Sequence, residues 1–199
     1  MKKIVLSLGL VAGMLSAAHA QQGARFGVKA GVSLANITGD GTSNTKNLVG
    51  ATAGLMADFG FNDLISFHPE LLYSQKGVKY EASGLTSKVR LSYLDVPLLL
   101  RVKTQGLFFE AGPQVGFLLA QKNEVTLSGY GSSSNSSSDN TRKVDVGYIA
   151  GIGYQLPQGL EFGLRYNGGI SDLSDQTVND HKQRNSVFQL QVGYLFGGK

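Results

Sequence analysis

Eight stretches of this chain place an apolar residue at every second position, and that alternation restricts the fold more than any other feature. In RFGVKAGVSLAN, Phe26, Val28, Ala30, Val32 and Leu34 form one set, while Arg25, Gly27, Lys29, Gly31 and Ser33 form the other. A period of two is the signature of a β-strand, whose successive side chains point to opposite faces. The pattern recurs over residues 49–61, 65–73, 94–102, 107–119, 144–156, 160–166 and 188–196. Charged residues are only 16% of the chain, and glycines number 27 of 199, roughly twice the ordinary usage of about 7%. Few charges and many glycines suit strands and turns rather than long amphipathic helices.

The connections between these strands alternate in length. Asn62-Asp63, Thr104-Gln105-Gly106 and Pro157-Gln158-Gly159 are tight turns, built from residues that reverse the chain at little cost. The other connections are long and polar: ITGDGTSNTK, YEASGLTSK, the region around GSSSNSSSDN, and DLSDQTVNDHKQRN. Short turns at one end and long loops at the other describe an up-and-down barrel, and an even strand number with this asymmetry is the outer-membrane pattern. The fold class is all-β: an eight-stranded antiparallel transmembrane β-barrel with short periplasmic turns and long extracellular loops.

Volume decides which face points out. The apolar face carries more than forty residues, many of them Phe, Tyr and Leu. An eight-stranded barrel has an interior only wide enough to be filled by side chains, so that face must be on the outside. The opposite face carries thirteen strand glycines, among them Gly27, Gly116 and Gly153, which leave room for long polar side chains in a narrow lumen. Outward aromatics form two sets. Phe26, Phe61, Phe67, Phe109, Tyr154, Phe162 and Phe196 lie toward the short turns, and Tyr73, Phe117, Tyr148, Tyr166 and Phe188 toward the long loops. Two such girdles are expected where a barrel meets both lipid–water interfaces.

Residues 1–20 read as a cleaved secretory signal peptide, with the barrel domain occupying 21–199. Lys2 and Lys3 precede the apolar run IVLSLGLVAGML, and Ala18-His19-Ala20 supplies a small-x-small cleavage site before Gln21. Removing both lysines lowers the formal charge from +4 to +2. No basic run or aromatic-basic patch points to nucleic acid. The chain has no cysteine, so an exported form would not rely on disulfides.

The segments FGVKAGVSLANITGD, FHPELLYSQKG, YLDVPLLLRV, FEAGPQVGFLL and VFQLQVGYLF resemble the outer-membrane β-barrel domain family of Bacteroidetes-type bacteria, often labelled porin-family or PorT-like. The resemblance covers nearly all of residues 21–199. It implies an eight-stranded barrel of the OmpA/OmpX kind, exported by a Sec signal and inserted by the barrel assembly machinery. Such barrels commonly end on an aromatic residue that this machinery reads. Here Phe196 is followed by Gly197, Gly198 and Lys199, so the insertion signal is assigned to Tyr194 and Phe196.

The inward charges are the candidate functional residues. Lys29, Lys76, Arg101, Lys103 and Arg165 face Asp58, Glu70, Asp95, Glu110, Asp145 and Glu161. Ionisable groups at membrane depth can mark a conduction path, but enclosed charges also need partners, and a pairing network that plugs the lumen is the favoured reading. The turn at residues 104–106 sets Arg101 opposite Glu110, and the turn at 62–63 sets Asp58 near His68. A His-Asp pair could serve acid-base chemistry, but no nucleophile accompanies this one. Asp172, Asp175, Asp180 and His181 in the last long loop match no hydrolase spacing. DGTSN lacks the EF-hand pattern, and no Walker, GxSxG, zinc or GxGxxG motif is present. No catalytic residue, cofactor or metal is expected.

Pro69, Pro97 and Pro113 fall within strands. A closed barrel has no edge at which to hide a missing N–H, so bulges or irregular pairing are expected around them. The leading function is a monomeric outer-membrane barrel with a structural, adhesive or envelope-interaction role. Its partners are membrane lipid and, through the long loops, an extracellular molecule. The alternatives are a narrow pore for ions or small solutes and a soluble periplasmic binding barrel.

Overall fold

The computed structural model describes residues 24–39, 45–82, 85–127, 131–136, 142–172 and 183–197. Residues 1–20, expected from the sequence to be a signal peptide, lie outside these residues, as do Asp175, Asp180, His181 and parts of the long loops. The described residues form ten strands: β1 (Ala24–Gly39), β2 (Thr45–Lys46), β3 (Leu48–Gly60), β4 (Ile65–Ala82), β5 (Leu85–Thr104), β6 (Leu107–Leu127), β7 (Gly131–Asn135), β8 (Val144–Gln155), β9 (Leu160–Gly169) and β10 (Gln183–Leu195).

Eight of them close a barrel in the order β1-β3-β4-β5-β6-β8-β9-β10, with β10 returning to β1 from Gly27↔Leu195 to Gly39↔Gln183. Every neighbouring pair is antiparallel. The turn between β5 and β6 is a two-residue hairpin. Gln105 and Gly106 have φ of 48° and 90°, the positive values that a twist-matched hairpin turn requires.

The alternation read from the sequence sets the faces. Val32, Leu55, Leu100, Phe109, Leu164 and Leu190 are exposed on the outside, while Lys29, Glu70, Arg101, Glu110 and Arg165 are buried within. The girdles pack across strands. At the short-turn end Phe26 lies 6.3 Å from Phe59, and Phe59 lies 6.4 Å from Phe67. Near the long loops Tyr166 lies 6.1 Å from Tyr148 and 5.0 Å from Phe188.

The lumen glycines are a space requirement. A Cβ on Gly153 would sit 2.2 Å from the Phe108 ring and 2.4 Å from the Phe162 carbonyl oxygen, whereas one on Gly163 would meet nothing closer than 3.8 Å. Gly153→Val should therefore cost about 1–3 kcal/mol by overpacking, or prevent closure, while Gly163→Ala should fold normally. The heat-dependent shift in gel mobility after refolding distinguishes the two outcomes.

Three features differ from the sequence reading. First, the third and fourth predicted strands, 65–73 and 94–102, are longer. β4 has 18 residues, β5 has 20 and β6 has 21, where a tilted span needs about 9–11. Seven of the nine residues of YEASGLTSK belong to the ends of β4 and β5, which project as a continuation of the sheet, rather than to a loop. β2 pairs with β4, and β7 with β6, to widen this projection. Its polarity is reversed: Ile37 and Val78 are buried inside, with Tyr80 and Val89 packed on them, while Lys79 and Lys88 take the outer parity. Above the lipid the outer face meets water, so the sheet becomes apolar-in and polar-out.

Second, the pairing around the prolines is irregular, as expected, but it takes the form of missing rungs without the register shift of a bulge. Pairing skips Ala57-Asp58 against His68-Pro69, Glu70-Leu71 against Val96-Pro97, and Leu98-Leu99 against Gly112-Pro113. The register is the same on both sides of each gap, so the missing N–H costs a rung and not the parity. Third, the true bulge lies elsewhere. Ser92 pairs with Ala120 and Tyr93 with Leu118, leaving Leu119 as an extra residue on β6. An inserted residue reverses the facing of everything beyond it, so Lys122 and Glu124 turn outward.

Candidate functional site

The lumen holds all twelve charged or titratable residues singled out in the sequence, and it arranges them in three tiers. The tier nearest the short turns is built on Asp58. Its carboxylate accepts Arg25 Nη2 at 2.7 Å and Lys103 Nζ at 2.5 Å, and His68 Nδ1 lies 3.4 Å away. His68 is completely buried and its Nε2 lies 3.0 Å from Arg101 Nη2, which links this tier to the next.

The middle tier is a closed ring of alternating charge. Lys29 on β1 meets Glu70 on β4 at 2.6 Å. Arg165 on β9 donates to Glu70 at 2.7 Å and to Glu110 on β6 at 2.6 Å. Arg101 on β5 donates to Glu110 at 2.8 Å and to Glu161 on β9 at 2.7 Å. Glu161 then returns to Lys29 at 3.2 Å. Three cations and three carboxylates thus close a cycle, each touching two of opposite sign. The cycle draws on five strands and no side chain in it is more than 3% exposed. The Arg101 guanidinium also stacks 3.9 Å from the centre of the Phe108 ring.

The tier nearest the long loops is built on Lys76. Its Nζ lies 3.1 Å from Asp95 and 3.2 Å from Asp145, and 4.6 Å from the Tyr93 ring centre. Asp145 also accepts Ser171 Oγ at 3.0 Å and Asn185 Nδ2 at 2.9 Å. The space bordered by Lys76, Gln114, Asp145, Asn167 and Asn185 is too narrow for a water molecule. Higher still, Ile37, Leu48, Val78 and Leu91 are buried toward the axis and add an apolar layer.

Arg25 was not among the charges singled out in the sequence. It shares the parity of Lys29, and it is the second residue of β1, where alternation has only begun. With it, six basic residues face six acidic ones, and the pairing closes. Asp172, the described member of the loop acids, accepts the Gln183 backbone N–H at 2.9 Å and ties the loop base. The ligand atoms of His68, Glu70 and Glu110 lie within 4.8 Å of one another, a spacing that could suit a metal. Lys29, Arg101 and Arg165 already neutralise those carboxylates, and a divalent cation would have to displace them. Tyr194 and Phe196 are outward, with ring centroids 5.4 Å apart, and the Phe196 N–H bonds the Phe26 carbonyl at 2.7 Å.

A closed antiparallel barrel with an apolar belt, paired aromatic girdles and a charged lumen defines an integral outer-membrane barrel. The chain belongs to the outer membrane protein beta-barrel domain family, whose profile matches residues 19–175. It is located in the outer membrane. Comparison with curated proteins gives no match. Among solved structures it is similar to Ail, the attachment invasion locus protein of Yersinia pestis, at 20% identity, covering 88% of this chain and 100% of that one with a TM-score of 0.51. It is also similar to Neisserial surface protein A, at 16% identity, covering 87% and 99% with a TM-score of 0.54. These likenesses carry the fold. Together with the outward apolar belt, the family membership removes the soluble periplasmic alternative, because that belt has no counterpart to bury against in water.

Proposed function

We propose that this protein is a closed-lumen structural barrel of the outer membrane that presents its projecting β4–β5–β6 sheet and long loops to the outside. The single observation that carries the reading is the alternating ring of Lys29, Glu70, Arg165, Glu110, Arg101 and Glu161 across the barrel axis. A conducting path would need hydrated charges with water between them. Here each charge is committed to protein partners, and breaking such buried pairs costs several kcal/mol.

On this reading the signal segment 1–20 directs export, and the barrel assembly machinery engages the Tyr194–Phe196 end of β10. The protein works as a monomer without cofactor or catalytic centre. An adhesive or envelope-interaction role rests on the projection, which extends well past what a span requires. The refolded protein should leave a planar bilayer electrically silent. Steady discrete openings of the unmodified barrel would instead establish the narrow pore.

A further inference from the structure

The outer surface of the projecting sheet continues the lipid-facing stripe and changes from apolar to cationic along it. On β5 the outward residues run Leu98, Val96, Leu94, Ser92, Arg90 and Lys88. On β6 they run Val115, Phe117, Leu119 and Ala120, then Lys122 and Glu124. On β4 they run Leu71, Tyr73 and Gln75, then Gly77, Lys79 and Glu81. The changeover is marked by a hydrogen bond of 3.0 Å between Tyr73 Oη and Ser92 Oγ.

Register brings the cations together. Gly77, Arg90 and Lys122 form one cross-strand row, and Lys46, Lys79, Lys88 and Glu124 form the next. Residues in a row have neighbouring side chains on the same face, and successive rows are about 7 Å apart. Five cations therefore share this patch with two carboxylates. Glu81 pairs with Lys46 and Lys79. Glu124 lies 3.0 Å from Lys122 and 3.8 Å from Arg90. Hydrogen bonds and charge from these lysines hold both carboxyls below their ordinary range, so both stay ionised and a net positive patch remains. Lys88 has no ion pair or hydrogen bond among the described residues. The Leu119 bulge is what turns Lys122 outward into this patch.

We propose that this face binds the phosphate groups of an outer-leaflet lipid. Two observations favour a membrane lipid over a soluble polyanion. The cations point sideways, in line with the lipid belt, and not toward the mouth of the lumen. They also begin within two to four residues of the last outward apolar or aromatic side chains, where headgroup phosphates sit once the acyl chains cover Leu94, Phe117 and Leu119.

The test uses the refolded protein in neutral detergent with three probes: bis-phosphorylated lipid A, its dephosphorylated form and inorganic phosphate. Native mass spectrometry reads the bound fraction. The unmodified protein should retain the phosphorylated lipid and bind the dephosphorylated form at least tenfold more weakly. Replacing Lys88, Arg90 and Lys122 together with Gln should weaken binding by about fivefold for each cation removed. Arg184→Gln, an outward cation on β10 across the barrel, should leave it unchanged. The heat-dependent mobility shift confirms folding of each variant, and Arg90→Gln alone serves if the triple variant does not fold. Equal retention by the triple variant, equal binding of the dephosphorylated lipid, or inorganic phosphate binding as tightly as the lipid would each overturn the proposal.

Discussion

Replacing Arg101 with methionine is expected to lower the unfolding free energy of the barrel by about 3–5 kcal/mol, the cost of leaving buried carboxylates without their cation. Arg101 serves both Glu110 and Glu161, at 2.8 and 2.7 Å. Without it the ring opens, and among the described residues Glu161 keeps one ion pair, with Lys29 at 3.2 Å. Methionine keeps much of the packing on Phe108, so the measured loss reports charge rather than a cavity. The companion change Glu161→Gln should recover part of the loss in the double variant, because the two residues are in contact and their effects are not additive. Urea titration of the refolded protein in vesicles measures all four corners of this cycle. A loss below about 1 kcal/mol for Arg101→Met would be typical of solvent-exposed pairs. It would mean that Glu110 and Glu161 reach water, and with it the closed-lumen reading would fail.

Leu164→Arg should be nearly as costly for a different reason. Leu164 is exposed on β9 between Phe162 and Tyr166, members of the two girdles. An arginine at the bilayer midplane of a barrel costs about 2–4 kcal/mol. Thr38→Arg, an outward substitution at the upper end of β1, lies past the apolar stripe, and its one penalty is the like charge of Arg184 directly across on β10, so it should cost no more than about 1 kcal/mol. In a soluble barrel both side chains would be in water and both substitutions would be mild. The same urea titration in vesicles, run on the two variants, therefore measures which side of the sheet meets lipid. If Leu164→Arg were as mild as Thr38→Arg, the apolar belt would not lie in the membrane.

Much of the lumen could be read because strand parity is a local property. Lys29 and Ser33 must share a face once Val28 and Val32 are assigned to the other, whatever the barrel does elsewhere. Pairing within a hairpin is nearly as local. The two-residue turn at Gln105-Gly106 sets Arg101 against Glu110, and four residues on each side suffice to count it. The partners across the lumen were not legible in this way. Lys29 meets Glu70 and Glu161, and Arg165 meets Glu70 as well as Glu110. Those contacts depend on how far each strand is staggered around the closed barrel, and the stagger is a property of all eight strands together.

The projecting sheet shows where a uniform rule stops applying. Beyond Gln75 and Ser92 the outer face carries charge and the inner face carries Val78 and Val89, so the outward apolar stripe stops well before either strand does. The rule changes because the solvent changes from lipid to water at that level. The Leu119 bulge is hidden for a related reason: an extra residue in an alternating strand leaves a valid alternation on either side.

From the sequence alone follow the strand number, the outward apolar face and the inward charges, because period two and side-chain volume admit one arrangement in so narrow a barrel. The tertiary structure alone decides that those charges close into a ring and that Lys122 joins Lys88 and Arg90 outside. Both depend on the relative heights of strands that are distant in the chain, and only the closed sheet with its bulge on β6 sets those heights.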